Sequence, residues 1–296
     1  MDEQRFRRIM DSVAKAASED SINIEVFISD GEYPLYLTIL MKLPERRIMD
    51  ARVETFRKNR LGRPEFFLQD LSVLRGIEAN AGYLKNMRAA LQNQEIPELL
   101  FDAMIETARM SFQIATFKPE EVEGIDITDP VAVTGLDVVY WPESPGQCIP
   151  YADGIEDEFK ALGIRAATRL DIFTPSPGQI YRFRRDKVME CQLAKDRHRL
   201  KHYMSDDIHE MEVEMIVSAD GKKVDDISSR CMRAPYTGIC CRPYQQISLL
   251  EGTTIDNEFR QKVFEAVGGE RGCVHLVDFI MDMMRYYKKS CKEAGF

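Results

Sequence analysis

The apolar run LYLTILMKL at residues 35–43 carries aromatic and β-branched side chains and predicts a strand. A turn containing Pro44 follows. The segment RRIMDARVETF (46–56) then alternates well enough to be its partner strand. Residues 65–76 predict a helix ending at Gly76. NAGYLKNMRAALQ (80–92) places Leu84, Met87 and Leu91 on one helical face. Pro97 suits the first turn of a further helix through ELLFDAMIETARMSF, because its missing N–H is not needed there.

The second half runs in the same order. MEVEMIV sets Glu212 and Glu214 between apolar positions, as a strand with one solvated face does. Ala219, Asp220, Gly221 and Lys222 form a turn, and KVDDISSRCM is the return strand. PYQQISLLEG predicts a short helix ending at Gly252. Asp256 can cap NEFRQKVFEAVGG, and RGCVHLVDFIMDMMRYYKK is the last helix.

A constant offset of 176 residues relates the halves without a gap. It pairs Asp20 with Asp196, Ser29 with Ser205 and Asp30 with Asp206. It also pairs Arg8 with Arg184, Asp50 with Asp226, Gly76 with Gly252, Asp102 with Asp278 and Arg109 with Arg285. The pattern predicts an α+β fold made by tandem duplication of a small antiparallel sheet packed against helices. The first repeat spans 1–115 and the second 181–296. Residues 116–180 are too long for a simple connection and predict an ordered bridging segment, with DGIEDEFKALGI as a helix.

Length and composition fit a globular chain. The 296 residues suit two domains of about 100–130 residues. The net charge of −9 argues against nucleic acid as a partner, since little would draw the chain onto phosphates. The short basic run Arg182, Arg184, Arg185 and Lys187 reads as a solvated strand edge. No apolar stretch approaches the length of about 18 residues that spans a bilayer, so no membrane is expected. The N-terminus lacks a secretory apolar region, and seven cysteines are an odd number for a disulfide framework. Both point to the reducing cytoplasm.

The cysteines and histidines are placed unevenly. Cys148, Cys191, Cys231, Cys240, Cys241, Cys273 and Cys291, with His198, His202, His209 and His275, all lie beyond residue 147. At the offset of 176, Tyr33 stands opposite His209. Pro64 and Glu65 stand opposite Cys240 and Cys241, and Pro97 and Leu99 opposite Cys273 and His275. The framework is repeated and the chemistry is not. Cys273 follows three glycines at a helix start, where free N–H groups favour a thiolate. His209, Cys240, Cys241, Cys273 and His275 form a candidate zinc or iron site, since thiolate and imidazole suit such metals. The alternative is a metal-free enzyme on a small acyl or carboxylate substrate. Cys273 would be its nucleophile and His209 or His275 its base, oriented by Asp206, Asp207 or Asp226. A third reading is a structural or adaptor protein, with a protein partner or a small-molecule ligand. His198 and His202 share an i, i+4 spacing, but KDRHRLKHY reads as a solvated segment.

Two resemblances add to this. From IYRFRRD, through IHEMEVEMIVSADGKKVDDISSRCMRAPYTGIC, to GGERGCVHLVDFI, the second half resembles a bacterial family, domain of unknown function 2889. The likeness covers about residues 165–290 and is carried by His209–Met211, Pro235–Tyr236 before a cysteine, Gly252, and the G-C-x-H-L block at 272–276. This chain has Val274 where threonine is usual, two adjacent cysteines, and one extra residue after Pro235–Tyr236. More distantly, LLEGTTIDNEF and RGCVHL look like the U-type iron–sulfur cluster scaffolds. That likeness implies Cys240 or Cys241 as a middle ligand and Cys273 as the last. The first scaffold cysteine has no equivalent here, although Asp207 and His209 lie near its place.

Overall fold

A computed structural model describes residues 3–31, 34–58, 64–80, 82–92, 99–174, 179 and 181–295. In chain order the first strands are β1 (Gln4–Ser18), β2 (Ser21–Ser29), β3 (Leu35–Lys42), β4 (Arg47–Lys58) and β5 (Pro64–Asp70). Helices α1 (Tyr83–Leu91), α2 (Leu100–Ser111), α3 (Pro119–Val122), α4 (Pro130–Tyr140), α5 (Ile155–Leu162) and α6 (Leu170–Phe173) follow. Then come β6 (Phe183–Leu193), β7 (Arg197–Asp206), β8 (Glu210–Ser218), β9 (Val224–Arg233), α7 (Phe259–Val267) and α8 (Val274–Ala294). The fold is mixed α+β, with antiparallel strand pairing.

The chain divides into two compact units. One comprises Arg8–Gly124 with Arg169–Asp186. The other comprises Met1–Arg7, Ile125–Thr168 and Lys187–Phe296. In the first unit the strands lie in the order β5-β4-β3-β2-β1. Side chains of β2 and β3 alternate, so Ile22, Ile24, Val26 and Ile28 share a buried face with Leu35, Leu37, Ile39 and Met41. Helix α2 lies against β2 and β3 and buries Leu100, Ala103, Met104 and Met110. The region expected to be a helix at 65–76 is instead strand β5, followed by a single 3-10 turn at Ser72–Leu74. Its Phe66 and Leu68 face outward, so the alternation that marks a strand was inverted. Pro97 and Tyr33 lie outside the described residues.

In the second unit the order is β6-β7-β8-β9. The inward positions of β8 are Met211, Val213, Met215 and Val217. They pack with Leu276, Phe279, Ile280 and Met283 of α8 in one core. The KDRHRLKHY segment is solvated on one face only. It forms most of β7, with His198 and His202 on the buried face at 2% and 0% exposure. An i, i+4 pair shares a face on a strand as well as on a helix. The basic run is also not a solvated edge. Arg182, Arg185 and Lys187 are buried, Arg185 against Glu106 at 3.4 Å in the first unit and Lys187 against Asp282 at 3.7 Å in the second. The PYQQISLLEG helix is a 3-10 helix at Pro243–Leu250.

Several elements of the two halves correspond at the offset of 176, although β5 has no counterpart strand in the second. Helices α1 and α7 cover residues 83–91 and 259–267. Ile22 lies opposite Met41, and His198 opposite Val217. The β3–β4 ladder shifts register between Leu40 and Met41, and the β8–β9 ladder between Ile216 and Val217. An isolated bridge joins Arg47 to Glu78, and another joins Lys223 to Thr254. Among the described residues no helix is long and apolar enough to cross a membrane.

Candidate functional site

Helix α8 runs along β7 in the second unit, and three ring contacts fix its direction. His209 meets His275, His202 stacks on Phe279, and His198 meets Tyr287, with centroids 4.3, 4.0 and 5.5 Å apart. Eight residues of helix and four of strand each advance about 12–13 Å, so the last two contacts keep step. The N-terminal end of α8 is therefore held beside the β7–β8 turn.

That turn is built on Asp206. Its Oδ1 accepts the backbone N–H groups of Ile208 at 2.8 Å and His209 at 2.5 Å. The same carboxylate lies 3.2 Å from Nδ1 of His209. Asp206 thus orients the imidazole that faces His275. Asp226, another sequence candidate for this role, is exposed on β9.

Cys273 is the N-cap of α8. Its own N–H donates to the carbonyl of Val267 at 2.8 Å, which closes the loop after α7. Gly272 makes that closure feasible, because a Cβ there would stand 2.2 Å from the Val267 carbonyl oxygen. The Cys273 sulfur accepts hydrogen bonds from the Cys148 thiol, the His275 ring and the Leu276 amide. Led by the Cys148 bond, these hold the Cys273 thiol well below its usual range, against the opposing effect of burial. The same bond, with burial, pushes Cys148 up. Burial and the nearby Cys273 charge push Cys240 up to about 12. The three cysteines are thus shifted in opposite directions, Cys273 down and Cys148 and Cys240 up.

A second polar group adjoins the thiols. Asp137 of α4 accepts the Tyr151 hydroxyl at 2.9 Å and the Tyr236 hydroxyl at 3.4 Å. Burial pushes its carboxyl up to about 7, against those two bonds. Tyr151 is three residues beyond Cys148, in the turn Ile149–Tyr151. The Tyr244 hydroxyl donates to the Met211 sulfur at 2.9 Å.

Of the five residues expected to bind metal, the fold brings His209, His275 and Cys273 together and sets Cys240 near them. Cys241 is joined to Cys231 by a disulfide, so its sulfur is not a free thiolate donor. Cys148, Cys191, Cys240, Cys273 and Cys291 keep free thiols. Among the described residues no group of three or more His, Cys, Asp or Glu side chains is arranged to hold a metal ion. The expected zinc or iron site is not assembled as a ligand group there. The sequence reading missed Cys148, Asp137, Tyr151, Tyr236 and Tyr244. Cys148 sits in a Pro/Gly-rich stretch with no motif around it. Its only signal was membership of the C-terminal cysteine set.

Residues 183–288 match the family described as protein of unknown function, DUF2889. The match takes in His209, Cys240, Cys273 and His275, while Asp137, Cys148 and Tyr151 lie before it. No curated protein matches the chain, and no solved structure does.

Proposed function

We propose that the second unit is a thiol-dependent enzyme site with Cys273 as its nucleophile. The carrying observation is the place of Cys273 as the N-cap of a 21-residue helix whose first turn holds His275 in ring contact with His209. Helix N–H groups and the Cys148 and His275 donors all favour a thiolate over a thiol. His275 is the proton partner of Cys273. His209, held by Asp206, stands behind it in ring contact. A cytoplasmic location would keep this thiol reduced, whereas the Cys231–Cys241 disulfide points the other way.

The first unit lends a framework. Equal helix positions, equal ladder registers and equal bulge positions at one offset support a tandem duplication in which only the second copy acquired the thiol chemistry.

The test is iodoacetamide labelling of the native chain between pH 5 and pH 9, mapped by mass spectrometry, with metal content measured on the same untagged sample. Labelling of Cys273 that persists at the acid end, without stoichiometric metal, is the expected result. A Cys273 that labels only above the ordinary thiol range of about 8.5 would sink the nucleophile reading. Stoichiometric zinc or iron lost in Cys273→Ala would replace that reading with metal binding.

A further inference from the structure

Cys148 lies outside the family match, yet the backbone delivers it to Cys273. The N–H of Ile149 donates to the carbonyl of Gly272 at 3.0 Å. Residues on either side of that bond run alongside one another, which sets Cys148 next to Cys273. Only glycine fits at 272, because a Cβ there would meet backbone atoms of Val267 and Gly268. Both cysteines belong to one buried cluster of side chains. A disulfide needs this side-by-side placement of its two residues.

Access is narrow. Cys273 is 5% exposed and Cys148 9%. Such limited exposure favours a small substrate, such as one reacting through a two-atom O–O group, over a bulky disulfide. No hydrophilic pocket for a large acyl group is required, and an adjacent second thiol has no use in simple acyl transfer. It has a definite use in two-electron oxidation, where it captures the oxidised sulfur.

We propose that this site reduces small hydroperoxides, with Cys273 as the attacking thiolate and Cys148 as the resolving thiol. The proposal rests on the nucleophile reading of Cys273. In the first step the Cys273 sulfur bonds to one peroxide oxygen and the O–O bond breaks. Cys273 becomes a sulfenic acid. The departing alkoxide takes the proton held on His275 and leaves as an alcohol, or as water when the substrate is hydrogen peroxide. In the second step the Cys148 sulfur attacks the Cys273 sulfur. The S–S bond forms, the S–O bond breaks, and the hydroxide leaves as water with the Cys148 proton. Two electrons have passed from the thiol pair to the peroxide. A small dithiol, itself oxidised to its disulfide, returns both cysteines to the reduced form.

Asp137 and Tyr151 position the resolving thiol. Their hydrogen bond anchors the turn that begins at Cys148.

The experiment treats the reduced full chain with one equivalent of hydrogen peroxide, quenches with an alkylating reagent and maps disulfides. A Cys148–Cys273 linkage is expected, one per peroxide consumed, at a rate about a hundredfold above that of a free thiol of ordinary pKa. Cys148→Ser should accumulate the Cys273 sulfenic acid, trapped by dimedone. Cys273→Ser should consume no more peroxide than a free thiol. If Cys273 alkylates readily at low pH but no Cys148–Cys273 linkage forms, the peroxide proposal is overturned and the nucleophile reading stands. If Cys273 is inert to both reagents, both fall. The wild-type mapping decides the matter even where a variant fails to fold.

Discussion

His275 stands between two partners: its ring faces that of His209 at a centroid distance of 4.3 Å and donates to the sulfur of Cys273. Because Asp206 grips His209 through its ring and its backbone, a carboxylate–imidazole–imidazole–thiolate series spans the turn and the helix start. His275→Asn should raise the pH midpoint of Cys273 alkylation. A rise of about one unit leaves about tenfold less thiolate below the midpoint. The pH profile of labelling checks this. Circular dichroism of the variant should match the parent, since His275 is half-buried rather than in the core.

Asp137 makes stability depend on pH. Its carboxyl ordinarily titrates at 3.8 and is pushed up to about 7 in the fold. The folded chain therefore holds this proton more tightly than the unfolded chain. The resulting stability is full below about pH 4 and is lost as pH rises to about 7. Asp137→Asn carries no such charge. Its stability relative to the parent should climb across that window and level off above it, by at most about 4 kcal/mol. Urea denaturation at several pH values reads the difference. A flat difference would mean that Asp137 is ionised throughout.

Gly272→Ala should disrupt the loop that presents Cys273. The added methyl would lie 2.2 Å from the Val267 carbonyl oxygen and 2.4 Å from Gly268 backbone atoms, neither of which is a flexible side chain. A loss of about 3 kcal/mol or more is expected, at the upper end for overpacking. Thermal unfolding measures it. Gly135→Ala, with nothing within 4 Å and no positive φ, is the control.

In the first unit, Glu106 and Arg185 are both 1% exposed and lie 3.4 Å apart. Glu106→Ala removes the carboxylate from a buried guanidinium and should cost about 3–5 kcal/mol. Chemical denaturation gives the value. A cost below about 1 kcal/mol would place the pair among weak surface bridges.

Which elements could be read from the sequence follows from where their polar residues point. Strands β3 and β8 were legible because apolar side chains alternate with solvated ones. Strand β7 was not, because its buried face carries His198, His202 and Asp206 among Leu200 and Met204. Strand β5 was missed for the opposite reason, with Phe66 and Leu68 exposed. Cys273 was found because glycines and a helix start surround it, and that local signal has a physical meaning. Cys148 was not singled out, because its role arises from one long-range backbone bond between Ile149 and Gly272. Cys241 was taken for a ligand because sequence adjacency to Cys240 gave no hint that its sulfur pairs with Cys231.

Asp30 of the first unit stands 176 residues before Asp206. Arg8 clasps it at 2.5 and 2.7 Å and also reaches Asp102 on α2. A guanidinium keeps its charge at every physiological pH, so that turn is a fixed rivet. The offset sets Arg184 opposite Arg8, but Asp206 in the second unit meets the imidazole of His209 instead, and imidazole exchanges protons near neutrality. The aspartate of the first turn is thus fixed by a permanent charge, and that of the second by an ionisable ring.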